Sequence, residues 1–247
     1  MFRNPIPTSS PAWSLAATVL GAATPAATNA AAIAIQPQSE AESRDTKLYA
    51  SVPTGNFSSN LNVVSQDITD FRALVQFDLA PLALLGADGI ASATIRLYAT
   101  GLNTTGLSTA ATVPVTLSPI LHPWRENATD PGADPLATWD AFYGGNPTLG
   151  VGAVAATQSV TGPGFFDWDV TALLKSWRDG TLANHGVMIQ AVGPLGDVGI
   201  ADVDASGPGF GPALIVTSVP EPSTSAIALA ALTIPVRRRR PSANSLR

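Results

Sequence analysis

The sequence predicts an all-β protein: an antiparallel β-sandwich, jelly-roll-like, with one short helix and a C-terminal hydrophobic sorting segment. Three observations predict it. Only 13% of the 247 residues are charged, and 21 Gly and 21 Pro are spread along the chain, a composition of short strands and turns rather than of a helical bundle. Apolar and polar residues alternate with a period of two through the middle of the chain. The turn-forming stretches PTGN, GADG, GPG and SGPG separate the alternating runs. This length suffices for one sizeable core once both ends are set aside. There is no cysteine, which excludes disulfides and thiolate metal sites.

From the N-terminus, residues 1–32 read as a secretory signal peptide. Arg3 is the only cation ahead of the apolar patch Trp13–Leu20, and the small-residue stretch GAATPAATNAAAIA follows, with Ala30 and Ala32 flanking an A-x-A cleavage site. Residues 33–43 are expected to be a linker, and the sandwich to occupy 44–218. In RALVQFDL, Ala73, Val75, Phe77 and Leu79 fall on one face, with Arg72, Gln76 and Asp78 on the other, the period of a half-buried strand. In ASATIRLYAT, Ala93, Ile95 and Leu97 point inward while Thr94, Arg96 and Tyr98 point outward. TVPVTLS, HGVMIQAVG and PALIVTSV supply further strands. DWDVTALLKSWRDG predicts the helix: Asp169 caps it, Val170, Leu173, Leu174 and Trp177 share its buried face, and Gly180 ends it.

Several residues invite a chemical reading. Trp124, Arg125, Glu126, Asn127, Trp139, Asp140, Phe142 and Tyr143 lie within a Pro/Gly-rich loop region. Flat rings beside acids, amides and a guanidinium suit a sugar, whose C–H faces stack while its hydroxyls hydrogen-bond. For Trp124 and Trp139 core packing is the favoured explanation over a sugar platform, since large aromatics are usually core. The pairs Asp167/Asp169 and Asp202/Asp204 have the i, i+2 spacing that sets two carboxylates on one side of a strand. With Asp169 used as a helix cap, Asp167, Asp202 and Asp204 remain as candidate oxygen ligands for a structural calcium ion. His122 and His185 stand about sixty positions apart, and the chain holds no G-x-S-x-G, H-E-x-x-H or P-loop motif. No catalytic residue is assigned.

The middle region resembles the DNRLRE family, a module related to disaggregatase and to carbohydrate-binding domains. The resemblance runs through DTKLYASVPTGNFSSNLNV, FRALVQFDL, IASATIRLYA, WRENAT, ATW, FDWDVTALLKSWRDG, NHGVMIQA and PALIV, in that order. It implies a non-catalytic extracellular module that binds or organises polysaccharide. Two alternatives stay open: a polysaccharide-degrading enzyme related to disaggregatase, and a structural surface protein without a glycan ligand.

Residues 219–247 complete the chain. Pro220-Glu221-Pro222 precedes the apolar run Ala226–Val236 and the cluster Arg237, Arg238, Arg239 and Arg240. The apolar run is roughly half the length needed to cross a bilayer, and the arginines favour the cytoplasmic side. This order of parts resembles the PEP-CTERM sorting signal of bacterial exported proteins. The resemblance implies an exosortase-type membrane protease as partner, transient membrane association, and a destination at the cell surface or in the exopolysaccharide or biofilm matrix. Of the 13 basic residues, Arg3, Arg237–Arg240 and Arg247 lie in these two ends, as does Glu221 of the 18 acidic ones, so 7 basic residues are left against 17 acidic. So acidic a body is a poor partner for nucleic acid.

Overall fold

The alternating runs form strands because period two lets one face of each be buried while the other meets water or a second layer. The computed structural model describes residues 30–37, 43–57, 61–65, 70–106, 110–128, 132–145, 148–193, 196–202 and 209–220. The strands are β1 (Ala32–Ile35), β2 (Ser43–Tyr49), β3 (Leu61–Ser65), β4 (Phe71–Phe77), β5 (Ile90–Leu102), β6 (Val113–Pro119), β7 (Ala156–Val160), β8 (Gly164–Asp169), β9 (Val187–Ala191), β10 (Gly196–Ile200) and β11 (Ala213–Ser218). Two short helices accompany them, α1 (Trp139–Tyr143) and α2 (Thr171–Asp179).

These strands build the expected antiparallel sandwich, with neighbours that are mostly distant in sequence. Hydrogen bonding runs in the order β1-β11-β5-β10-β3-β4-β9-β6-β7, with β2 added on β4 and β8 on β5. One layer is β8-β5-β11-β1 and the other β2-β4-β9-β6-β7, while β10 and β3 carry the sheet from one to the other. Between them lies a single apolar core to which β5 gives Ile95 and Leu97, β4 gives Val75 and Phe77, β6 gives Val115 and Leu117, and β8 gives Trp168. The Trp168 indole N–H donates to the Val115 carbonyl at 2.9 Å in this interior, so this buried ring also satisfies its polar atom.

The predicted inward set Ala93, Ile95 and Leu97 is buried, and Thr94, Arg96 and Tyr98 are the less buried alternates. The other strand departs from the expectation. Leu74 is fully buried and Arg72 is 7% exposed, because the outer face of β4 is covered as well. There Leu48, Leu74 and Met188 meet Ile120, Trp124, Ala137, Phe142 and Leu149 in a second apolar cluster.

Two further expectations need correction. Residues 33–43 are not simply a linker, since β1 falls at 32–35 and β2 begins at Ser43. The loop expected from Trp124 to Tyr143 contains α1, whose first turn is capped by Thr138 Oγ1 accepting from the Ala141 N–H at 3.2 Å.

Helix α2 follows the sequence except at its start, where Val170 rather than Asp169 holds the N-cap position. Asp169 Oδ1 accepts from the Thr171 N–H at 2.9 Å and from its hydroxyl at 2.6 Å, so the carboxylate satisfies a first-turn donor from just ahead of the helix. Val170, Leu173, Leu174 and Trp177 are all buried. Gly180 ends the helix in the left-handed conformation at φ 78°, where a side chain would be strained. Arg178 then donates to the carbonyls of Leu85 and Ala83, fixing the helix over the turns that precede β5.

Trp177→Ala is expected to lower unfolding free energy by roughly 3–5 kcal/mol, the range for deleting a core aromatic, as read by chemical denaturation. The Trp177 indole nitrogen has no partner among the described residues, so Trp177→Phe should cost far less, because it also removes a buried unsatisfied donor.

Candidate functional site

Strands β5 and β8 pair directly through Thr94–Asp169, Arg96–Asp167 and Tyr98–Phe165, so these six side chains share the outward face opposite Ile95, Leu97 and Trp168. The Arg96 guanidinium holds Asp167 through two hydrogen bonds of 2.8 Å each. The Tyr98 and Phe165 rings meet edge to face at 5.0 Å. Phe210, from the turn before β11, completes the group: it stands 4.7 Å from Tyr98, and its plane is parallel to that of Phe165 within 1°. Phe165 is 51% exposed and Phe210 41%, while the Arg96 guanidinium lies 5.9 Å from the Phe165 ring centre. An exposed aromatic ridge thus runs into an exposed, hydrogen-bonded charge pair.

The face continues across β11 and β1. Ala213 lies beside Arg96, Ile215 beside Thr94 and Thr217 beside Ser92, with Ala34 and Ala32 next on β1. Apart from Ile215, these β11 and β1 side chains are small. Arg96 is the one cation on this face among the described residues.

The sequence-derived cluster is placed differently. Trp124 is fully buried in the second core, its indole N–H donating to the His185 carbonyl at 2.8 Å, so it presents no ring to a ligand. Glu126 is also buried. Arg125 is held along its own loop, donating to the carbonyls of Asp134 and Ala128. Trp139 is half-buried, its ring 4.7 Å from that of Tyr143 at a tilt of 37° and 5.3 Å under the Arg72 guanidinium. Arg72 in turn is paired with Asp70 at 2.9 Å. Tyr143 is 41% exposed, but its hydroxyl is directed to Met188 Sδ at 3.0 Å. Burial raises the pKa of that hydroxyl, and the charge of Arg72 partly offsets the rise. Asp140 is exposed on α1. Of the proposed set, Trp139, Asp140 and Tyr143 therefore share one short helix, while Trp124 and Glu126 lie in the interior.

Two of the three calcium candidates are among the described residues. Asp167 is committed to Arg96, and Asp202 is buried near Lys47, whose amine feels its charge. Asp204 lies outside the described residues, as do Glu221, Pro222 and Arg237–Arg240. Among the described residues no three His, Cys, Asp or Glu side chains form a group able to hold a metal ion. Pro220 is described and exposed, two residues beyond the end of β11.

Phe165 and Phe210 are the residues that the sequence reading missed. The signal for Phe165 was present in GFFDWD, since the alternation that puts Asp167 and Asp169 on one side puts Phe165 with them. Phe210 sits between glycines in GPGFGP, and nothing local links it to Tyr98. No family model matches the chain, and no curated protein is significantly similar to it.

Several titrations favour the fold at neutral pH. The Arg96 hydrogen bonds hold the Asp167 carboxyl below its usual range, and those from Thr171 do the same for Asp169. Burial and the like charge of exposed His122 lower the His185 pKa, with Asp134 opposing. A depressed histidine pKa means that the unfolded chain binds the proton first. Its stabilising share is complete above about pH 6.5 and is lost as pH falls toward the folded value. The depressed aspartates contribute above about pH 4 and lose their share below it. Melting temperature is therefore expected to fall in two stages on acidification. His122→Ala should reduce the first stage only, as read by thermal melts from pH 8 to pH 3.

Proposed function

We propose that this protein is an exported, non-catalytic β-sandwich that binds extracellular polysaccharide on the outer face of β5 and β8. The observation that carries the reading is the ridge of Tyr98, Phe165 and Phe210 beside the Arg96–Asp167 pair. Exposed rings offer apolar surface for the C–H faces of sugars, and the guanidinium and carboxylates beside them supply directional partners for hydroxyls. Large aromatic side chains are ordinarily buried, so two half-exposed phenylalanines aligned on one sheet face call for a ligand-side explanation. The resemblance to DNRLRE modules points the same way.

The charge of the face narrows the ligand to an uncharged glycan. Arg96 is already neutralised by Asp167, and Asp169 stands on the same ladder. An acidic polymer would meet an acidic body with, among the described residues, no cation on this face beyond the paired Arg96 to attract it.

Export and surface sorting through the Pro220-Glu221-Pro222 segment belong to the same proposal. Strand β11 starts beside Arg96 and ends beside Ile90, and the described chain leaves at Pro220. Tyr98 lies eight residues along β5 from Ile90, roughly 25 Å at strand spacing. The ridge therefore stands at the far end of β5 from the strand end that leads to Pro220. Among the described residues no helix is long and apolar enough to cross a membrane.

Phe165→Ala is expected to weaken binding of a neutral polysaccharide by about 1–2 kcal/mol, a factor of about 5–30, while the melting temperature falls by no more than about 4 °C, the loss of one exposed cross-strand pair. Trp139→Ala should do the reverse, lowering stability while binding persists. Affinity electrophoresis in gels containing a neutral β-glucan or polygalacturonate, beside thermal melts, reads all of this. Retardation by neither polymer, nor by any other on a glycan array, would replace the binding function with a scaffolding one. Stronger retardation by polygalacturonate would overturn the charge argument alone.

A further inference from the structure

The A-x-A site at Ala30 and Ala32 falls within a segment that is part of the sandwich. The Ala31 carbonyl accepts from the Ser218 N–H at 2.8 Å, and the Ala31 N–H donates to Ser218 Oγ at 3.1 Å. Ala32, Ile33, Ala34 and Ile35 then pair in register with Thr217, Val216, Ile215 and Leu214. Ile35 is 7% exposed within the main core, and Ile33 packs against it. A cut after Ala32 would remove the residues that begin this ladder and leave three to hold it. Without β1, strand β11 would become a bare sheet edge from Leu214 to Thr217, the kind of edge that recruits other strands.

We infer that β1 belongs to the mature protein and that the leader is removed N-terminal to Ala31. The small residues that a signal peptidase accepts also occur at Gly21-Ala22-Ala23, directly after the apolar stretch Trp13–Leu20. The step is hydrolysis of one peptide bond: water adds to the Ala23–Thr24 amide, the C–N bond breaks, and Ala23 gains a carboxylate as Thr24 gains an amino group. The inference rests on reading the N-terminal segment as a secretory leader, although β1 itself rests on the hydrogen bonds and burial above.

The test is N-terminal sequencing and intact mass of the exported protein, made from the full chain in an exporting bacterial host. Thr24 is the expected first residue. A start at Ala32 or beyond would overturn the inference, and a start still at Met1 would overturn it together with the leader reading. Ile35→Val in the full chain probes the strand without breaking it. Its melting temperature should fall by about 1–6 °C, from the usual cost of one buried methyl group and the stability-to-temperature conversion for a domain of this size. A melt unchanged by both Ile35→Val and Ile35→Ala would make β1 dispensable and the inference wrong.

Discussion

The register of β5 is the constraint on which the rest of the molecule depends. Its thirteen residues pair with β11 over the first half, with β10 over the last part, and with β8 on the opposite edge. Because side chains alternate, a slip of one residue would turn Arg96 and Tyr98 into the core and Ile95 and Leu97 into water. Burial of those aliphatic side chains at about 1.5–3 kcal/mol each fixes the choice. The exposed pairings Arg96–Asp167 and Tyr98–Phe165 contribute less, at about 0.2–1 kcal/mol per cross-strand pair. The ridge is thus a by-product of the core: the same alternation that buries Trp168 presents Phe165 and Asp167 outward.

The opposite layer obeys a different rule. β4 is buried on both faces, and the price of hiding its polar side chains is met by specific partners. Arg72 donates to Asp70 and to the carbonyls of Val64 and Phe71, and its flat guanidinium covers Trp139. Arg44 donates to the Trp124 carbonyl at 2.7 Å, and Trp124 to the carbonyl of His185. These bonds pin the segment from Ile120 to Val151 on the sheet and exclude water from Leu48, Leu74 and Met188. A segment rich in Pro and Gly thereby becomes a second small core, consistent with the rule that buried polar groups are hydrogen-bonded.

Close backbone approach governs some of the remaining joints. Gly186, with φ at 86°, lies where an added Cβ would collide with the Val75 carbonyl, and its own carbonyl accepts from the Ile120 N–H. Asp197 is fully buried on β10, yet accepts from the Thr104 hydroxyl and from both the amide and the hydroxyl of Thr105. Such bonds hold the turn after β5 against β10 and repay the cost of burying a carboxylate.

The sequence by itself determined the all-β class, the inward faces of β4 and β5, and helix α2 with its flanking Asp169 and its terminal Gly180. These follow from local rules: period-two alternation, first-turn amides that need acceptors, and a left-handed position that only glycine fills without strain. Local rules also placed Asp167 on an outward face, but could not reveal that Arg96, seventy-one residues away, would hold it. The burial of Trp124, the inclusion of β1 in the sheet and the meeting of Phe210 with Tyr98 and Phe165 were decided only by tertiary structure. Each depends on which strands become neighbours, and in an antiparallel sheet built from distant segments that choice is made by the fit of whole faces. An isolated tryptophan looks the same in a sequence whether its ring will cover a core or meet a sugar.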